Sequence, residues 1–395
     1  MRKSSRRNVL LSAGPIAVGA FAGCIGRDDT RDFDDFTGEG GNDTELDGGT
    51  QTAESEDEDS ESESDDRDQT LESDDDGNAL PLSDTPIYVS YSTGELTDVA
   101  RSGGPPPDGI PAIEDPVFTS PDDPPSQLRP EDPIFGVEID GDVRAYPQYI
   151  LVWHEIVNDI VGDVPVSVTY CPLTGTAQGF HRGETSFGVS GQLINTNLVM
   201  FDRATGSWWP QMLAWGIDGE HQGDFLREFQ VIWTTWEQWE QKYPDTAVLT
   251  EDTGHARNYG HDPYGSYAPR SGYYENDNFL FPPLVENDRF HPKKVVIGMR
   301  NEHGAFCILK DSIRERGVID GSIDDIPYVS VYDETLDTAF VYENPDDLEI
   351  KRVNGEYDVD NEAYPADSLP LEREIVYDAM WAAWYGYYPS TDVFE

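Results

Sequence analysis

The chain has 395 residues and a formal net charge of −52, because 78 acidic residues stand against only 26 lysines and arginines. A surface of this charge repels the phosphates of nucleic acids, so the composition argues against a nucleic-acid partner. Salt shortens the electrostatic screening length to about 3 Å at 1 M, which relieves the repulsion within a compact chain. The composition therefore indicates a halophilic surface.

Residues 1–24 have the features of an export signal that ends in a lipid attachment site. Arg6 and Arg7 precede an apolar run over 9–22, which is shorter than the roughly 20 apolar residues of a membrane-spanning helix. The run closes on Phe-Ala-Gly-Cys24, a lipobox. We expect export by the twin-arginine route, with Cys24 lipidated and anchoring the protein to the extracellular face of the cell membrane.

Residues 25–84 are predicted to form a disordered acidic tether. Between Asp28 and Gly77 there are 23 acidic residues against two arginines, and apolar residues are almost absent. Such a segment cannot bury enough surface to offset the loss of chain entropy, and its like charges keep it extended. The folded part is therefore expected over 85–395.

One aromatic pattern occurs twice in the folded part with identical spacing. The pattern Trp-x-x-Trp-x-x-x-Tyr-Pro-x-Thr-x-Val begins at Trp236 and again at Trp381. We interpret it as a tandem duplication, with a first half over 85–255, a connecting loop over 256–284 and a second half over 285–395. The predicted fold is α+β and β-rich, and a Trp-x-x-Trp helix closes the antiparallel strands of each half.

The remaining elements of the first half follow from turn and periodicity signals. Asp140-Gly141 supplies the positive φ that a tight hairpin turn needs. Thr235 and Gln238 form a capping box for the helix that begins at Trp236. The residue pattern predicts, in chain order, a strand over 134–139, a strand over 143–146, a helix over 150–158 and a strand over 164–170.

A block of motifs between residues 170 and 211 is present in the first half and largely absent from the second. It contains Cys171-Pro-Leu-Thr-Gly-Thr, Phe187-Gly-x-Ser-Gly and Asp202-Arg-x-Thr-x-Ser-x-Trp. These motifs resemble those of the domain of unknown function 3179 family, over essentially all of 105–395. With its leader, the chain resembles a haloarchaeal-type exported lipoprotein of that family.

The resemblance does not indicate which reaction or cofactor to expect, because the family is itself uncharacterised. Some of its members have a second cysteine where this chain has Thr174. That difference argues against a Cys-x-x-Cys redox or zinc role here.

Cys171 allows three interpretations. It is a buried structural thiol, or it forms a disulfide with Cys307, as an oxidising compartment would favour. In the third interpretation it is a catalytic or ligand thiol with His154 as its base and Glu155 or Asp159 orienting the imidazole. The function that follows from this third interpretation is a cysteine-dependent enzyme or redox protein.

The spacing of candidate ligands predicts no metal site. Cys171, His154 and Met200 are of the types that copper sites use, but they have no diagnostic spacing. Trp153-His154-Glu155 begins like a zinc-protease helix, but Asn158 stands where the second histidine is required.

Polar side chains of the motif block form a second candidate site. They either knit two sheets together through hydrogen-bonded turns or line a pocket for a small polar or sugar-like ligand, above Trp208 and Trp209. Asn195 and Asn197 are expected to share one face of a strand. The leading functional hypothesis is a lipoprotein that binds a small polar ligand or a partner through this block. The candidate ligand-binding residues are Ser190, Asn195, Asn197, Asp202, Arg203, Trp208 and Gln211.

Overall fold

The computed structural model describes residues 80–395. The predicted signal segment, Cys24 and residues 25–79 of the predicted tether lie outside the described residues. Leu80 is buried and Leu82 pairs with Leu226, so the ordered fold includes residues 80–84, which were expected to belong to the tether. Within residues 80–395, no helix has both the length and the apolar character needed to cross a membrane.

The fold is β-rich, as predicted, with 41% of residues 80–395 in strands and 11% in helices. The helices are α1 (Thr93–Val99), α2 (Gln148–Leu151), α3 (Trp236–Lys242), α4 (Lys310–Arg316) and α5 (Trp381–Tyr387), with a 3-10 turn at Gln211–Leu213.

The strands of the first half are β1 (Arg101–Ser102), β2 (Phe118–Thr119), β3 (Pro133–Ile139), β4 (Asp142–Pro147), β5 (Ile156–Val161), β6 (Val164–Cys171), β7 (Thr176–His181), β8 (Phe187–Ile194), β9 (Asn197–Asp202), β10 (Trp208–Pro210), β11 (Glu228–Phe229), β12 (Ile232–Thr235) and β13 (Ala247–Leu249). The connecting segment contributes β14 (Gly265–Tyr267) and β15 (Arg270–Gly272). The second half contains β16 (Val295–Asn301), β17 (Gly304–Leu309), β18 (Val318–Ile323), β19 (Ile326–Asp333), β20 (Thr338–Glu343), β21 (Lys351–Val353), β22 (Glu356–Val359), β23 (Glu362–Tyr364), β24 (Arg373–Glu374), β25 (Val376–Met380) and β26 (Asp392–Phe394).

Two sheets, one in each half, share a strand order. The first runs β12-β3-β4-β13 and is extended by β2, and the second runs β25-β16-β17-β26. In both, the first three strands are antiparallel and the fourth pairs in parallel. A second pair of sheets also corresponds, since β5, β6, β7 and β11 pair in the same sequence as β18, β19, β20 and β24. The sheet β1-β8-β9-β10, which contains most of the motif block, has no counterpart of the same order among the described strands.

A glycine–tryptophan contact fixes the closing helix of each half onto its sheet. Trp239 of α3 lies directly over Gly136 of β3, and Trp384 of α5 lies over Gly298 of β16. The indole nitrogens donate to Thr246 Oγ1 and to Thr391 Oγ1, each over 3.0 Å. The repeated aromatic pattern is therefore a packing pattern, with the tryptophan in the core and the threonine as its hydrogen-bond acceptor.

Several predicted elements are confirmed, one predicted helix is wrong in extent, and one predicted strand face is wrong. The 133–147 hairpin, strand β6 and the Thr235-capped helix α3 are present. The helix predicted over 150–158 ends at Leu151, because the β-branched residues of 156–161 form strand β5. Asn195 and Thr196 have positive φ and form the β8–β9 turn, so Asn195 and Asn197 do not share a strand face.

We expect Gly136→Ala and Gly298→Ala each to lower the free energy of unfolding by about 1–3 kcal/mol or more, because the added methyl group overlaps the indole ring. Urea unfolding of the variants in concentrated potassium chloride measures the effect. Gly94→Ala is the control, since Gly94 lies in α1 with open space around it, and alanine there should be neutral or stabilising by up to about 1 kcal/mol. Unchanged stability in both core variants would contradict the packing account.

Candidate functional site

The motif turn, Cys171–Thr176, lies where the three parts of the fold meet. It joins β6 to β7, and Gly175 has φ +58°, a conformation that favours glycine. The hydroxyl of Tyr273, from the connecting segment, donates to the Leu173 carbonyl over 2.8 Å. The Met380 amide of the second half donates to the Thr174 carbonyl over 2.8 Å.

Asn197 and Gln211 bind this turn through a buried hydrogen-bond network. Both side chains are 0% exposed. The Asn197 amide donates to Thr174 Oγ1 over 3.1 Å and to Gln211 Oε1 over 2.9 Å. Gln211 Oε1 also accepts from Thr176 Oγ1, and its amide donates to Thr169 Oγ1 over 2.9 Å. Their polar atoms are thus engaged within the protein.

The residue after Gln211 connects the motif block to the second half. The Met212 amide donates to Asn197 Oδ1 over 3.0 Å. The Met212 carbonyl accepts from Arg300 Nε over 3.0 Å and from the Tyr377 hydroxyl over 3.1 Å. Arg300 is buried and also forms an ion pair with Glu228 over 2.9 Å.

Two further predicted ligand residues also bind protein atoms. Ser190 donates to the Val199 carbonyl across the β8–β9 pair over 2.6 Å. The Asn195 amide donates to the Ala383 carbonyl of α5 over 2.7 Å, and its oxygen accepts from the Leu284 amide over 2.9 Å. Asn195 therefore joins the connecting segment to the second half.

The Asp202–Trp209 segment is a turn held partly by its own hydrogen bonds and partly by bonds to neighbouring segments. Asp202 accepts from the Thr205 amide over 2.7 Å and from the Trp209 indole over 3.1 Å. Arg203 reaches outward to an ion pair with Asp108 over 2.6 Å, and its side chain is one-third exposed. Trp208 is half-buried against an apolar cluster. None of the seven predicted ligand residues lines the cleft that is described later in this subsection.

Cys171 is a free, buried thiol. Its Sγ lies 3.8 Å from the Thr196 carbonyl oxygen, and Cys307, also free and buried, belongs to a different apolar cluster. The structure therefore contains no Cys171–Cys307 disulfide. Burial and the nearby Glu155 carboxyl raise the pKa of Cys171 to about 11, so only about one thiol in ten thousand is ionised at pH 7.

His154 is not positioned as a base for Cys171. Its Nδ1 lies 2.8 Å from the Pro111 carbonyl, which only accepts, so Nδ1 carries the proton. Nε2 then accepts from the Tyr259 hydroxyl over 2.7 Å. Burial lowers the pKa of His154 to about 4, so the ring is neutral with both nitrogens engaged.

Glu155, a candidate to orient the His154 imidazole, does not bind that ring and lies near the Cys171 thiol instead. It has φ +60°, at the position between α2 and β5 where the second half has Gly317, with φ +78°, between α4 and β18. The Glu155 carbonyl accepts from the Tyr170 amide just as the Gly317 carbonyl accepts from Tyr332. A residue with a carboxyl side chain thus adopts a positive-φ backbone conformation that glycine adopts more readily. Burial raises the pKa of Glu155 to about 8.

A cleft of about 370 Å³ opens between the two halves at the motif turn. The first half contributes Gly175, β12 and α3, the connecting segment contributes Tyr267 and Arg270, and the second half contributes β25, α4 and the start of β16. Trp233 of β12 packs edge-on against Tyr267, with ring centroids 5.2 Å apart. The Tyr267 hydroxyl lies beside Gly175, and it has no hydrogen-bond partner among residues 80–395.

Ion pairs cover most of the charge along the second-half wall of this cleft. Lys310 forms a buried pair with Asp378 over 2.6 Å. Arg314 binds Asp337 through two nitrogens, and Asp311 accepts from both Lys294 and Arg314. In a part of the chain with 55 acidic and 19 basic residues, the cleft is unusual in being lined by equal numbers, four of each.

Sequence reasoning missed the cleft because its residues come from distant segments without a shared motif. A signal was nevertheless present in the lysines. The chain has six lysines, and Lys293, Lys294 and Lys310 lie within eighteen residues of one another. Among residues 80–395, no group of three or more His, Cys, Asp or Glu side chains is arranged to hold a metal ion.

We expect Glu155→Gln to remove a penalty that grows as the pH rises. Because the folded pKa lies above the unfolded value of about 4.5, the protonated carboxyl favours the fold at low pH, and that stability is lost as the pH rises through about 8. The variant should match the parent near pH 5 and exceed it at pH 9 by about 2–4 kcal/mol in free energy of unfolding.

Urea titrations of both proteins at the two pH values measure this difference, in which other titrating groups cancel. Glu237→Gln makes the same change at an exposed position of α3. It should leave the difference in free energy of unfolding between the two pH values as it is in the parent. Parallel pH profiles for Glu155→Gln and its parent would show that Glu155 ionises in the fold without cost.

The comparisons with known proteins identify a family and nothing finer. No curated protein and no solved structure is significantly similar to the chain. The profile of a family described as "Protein of unknown function (DUF3179)" matches residues 107–391, which include the motif turn, the Phe-Gly-x-Ser-Gly strand and the cleft. Since this match covers well over half of the chain, the protein belongs to the DUF3179 family.

Proposed function

We propose that the protein is an exported, lipid-anchored protein that binds a small polar ligand in the cleft between its halves. The observation that carries the proposal is the cleft itself, where the Gly175 turn, an aromatic wall and the buried Tyr267 hydroxyl, which has no partner among residues 80–395, meet. Its volume of about 370 Å³ falls in the range of small-molecule sites, roughly 300–1,000 Å³.

In this proposal the motif block acts as the frame of the site rather than as its binding surface. Asn197 and Gln211 hold the motif turn at one end, and Asn195 fastens the connecting segment that carries Tyr267. Their side chains already bind protein atoms, so a ligand there would have to displace internal hydrogen bonds.

The geometry gives less support to a cysteine-dependent enzyme. Cys171 has no hydrogen bond to His154, whose two ring nitrogens bind Pro111 and Tyr259. A nucleophilic cysteine needs a lowered pKa and access for its substrate. Cys171, with a raised pKa and 1% exposure, has neither.

The proposed duplication is supported by the equal strand order of the two sheet pairs and by the Gly–Trp–Thr contact in each half. An original unit of two sheets and a closing helix would account for both. When sequences of the family are compared, residues 130–250 should then align with residues 295–395 as two copies of one unit. A failure of the two segments to align with each other would contradict the duplication.

To test the cleft, we expect Gln238→Trp to block ligand binding. Gln238 of α3 lines the cleft and is partly exposed, and its side chain also accepts from the Thr235 hydroxyl at the start of the helix over 2.9 Å. In a variant whose urea unfolding matches that of the parent, the indole ring should fill the space and weaken binding at least about tenfold. Gln241→Trp is a matched control, because it makes the same change on the same helix at an exposed position outside the cleft.

The readout is ligand-observed NMR with the full chain in concentrated potassium chloride. The probes are small ring compounds that bear a carboxylate, amide, amine or several hydroxyl groups. Binding lost in Gln238→Trp and retained in Gln241→Trp supports the site. Binding that is equal in both variants places the ligand elsewhere, and no binding by any probe contradicts the proposal.

The anchoring proposal rests on the leader and the acidic segment that follows it. Lipidation of Cys24 would leave residues 25–79 as a spacer between the membrane and the fold, and the halophilic surface suits a saline exterior. We expect Cys24→Ser to move the exported protein from the membrane fraction to the medium. Arg6→Lys together with Arg7→Lys should instead retain it in the cell, and an unchanged distribution in both variants would contradict the anchor.

A further inference from the structure

We propose that the cleft selects small carboxylates attached to an apolar ring, and that Arg270 is the residue that recognises the carboxylate. This inference rests on the proposed ligand site and adds the chemical class of its ligand. The charges around the cleft, the position of Arg270 and the apolar wall carry it.

The cleft leaves one positive charge without a carboxylate partner. Lys294, Lys310 and Arg314 each bind a carboxylate of the second half. Arg270 is the one basic residue lining the cleft, within residues 80–395, that has no carboxylate within 4.0 Å. Its guanidinium donates a long bond, 3.4 Å, to the Lys293 carbonyl, so most of its donors are available.

Arg270 and Tyr267 lie opposite each other in the β14–β15 hairpin. The guanidinium carbon is 5.6 Å from the centroid of the Tyr267 ring, within the range of a cation–π contact. The contact holds the charge beside the aromatic wall.

The cleft also has an apolar wall. Trp233 and Tyr267 present aromatic surface, and Val295 and Met380 add aliphatic surface from the second half. A flat apolar ring would cover these groups while its carboxylate meets the guanidinium in the planar, two-bond geometry that arginine forms with carboxylates.

Two electrostatic features oppose the inference, and the probes separate them. The described part has a formal charge of −36, from 55 acidic and 19 basic residues, which disfavours the approach of an anion. In concentrated salt that field is screened beyond about 3 Å, whereas a contact ion pair is retained. Glu131, exposed at the rim and without an ion pair to any residue of 80–395, would favour a cationic ligand instead.

The experiment titrates the full chain with benzoate, benzamide and benzylamine, three probes of one shape and different charge, in potassium chloride. Isothermal titration calorimetry should show benzoate binding at least about fivefold more tightly than benzamide. Arg270→Gln should remove that preference and leave benzamide binding within about twofold of the parent, which also shows that the cleft is intact. Arg257→Gln removes the same charge from the connecting segment outside the cleft and should keep the preference.

The outcomes distinguish this inference from the proposed site. Equal binding of benzoate and benzamide, both lost in Gln238→Trp, retains the site and overturns the carboxylate preference. Tighter binding of benzylamine overturns it in favour of Glu131. A benzoate preference that persists in Arg270→Gln removes Arg270 from recognition. If no probe binds, the inference and the proposed site fail together.

Discussion

One backbone group, the carbonyl of Met212, collects hydrogen bonds that join the two halves. Donors from Arg300 and Tyr377 meet it from the second half, while the amide of the same residue is held by Asn197 of the motif block. The guanidinium that donates to it is buried and balanced by Glu228. Breaking one member of such a group leaves a charge or an acceptor buried without a partner, which costs more than the bond itself contributes. The motif block is therefore one of the parts of the first half that hold the second half in place.

This arrangement gives the family motifs a physical meaning. The Cys-Pro-Leu-Thr-Gly-Thr sequence makes a turn whose carbonyls receive donors from two other parts of the chain, and its glycine adopts a left-handed conformation beside Tyr267. The polar residues of the other motifs complete hydrogen bonds that the turn and the 3-10 segment leave open. Polar residues in a long motif are often taken as contacts for a ligand. Here full burial and internal pairing of Asn197 and Gln211 give them a structural role that is independent of any ligand.

Local features of the fold were predictable from the sequence, and long-range ones were not. The Asp140-Gly141 hairpin, strand β6 and the capped helix at Trp236 depend on neighbours within a few residues, and the structure contains all three. The helix expected over 150–158 failed because its β-branched residues find strand partners on β6, a contact that periodicity does not reveal. Among the site predictions, the network of Asn197 and Gln211 was one of two interpretations already open. The pairing of Cys171 with His154 rested on residue type alone, and the His154 ring binds Pro111 and Tyr259 instead.

The shared walls of the cleft have a consequence for how the fold responds to an occupant. Because Gly175 and Trp233 belong to the first half and Met380 and Lys310 to the second, a molecule held between them contacts both only when the halves are assembled. Such a molecule would stabilise the assembled pair by mass action, by about 2.7 kcal/mol at a hundred times its dissociation constant. Occupancy would then act as an additional link between two units that are already joined through Met212, the motif turn and shared apolar clusters.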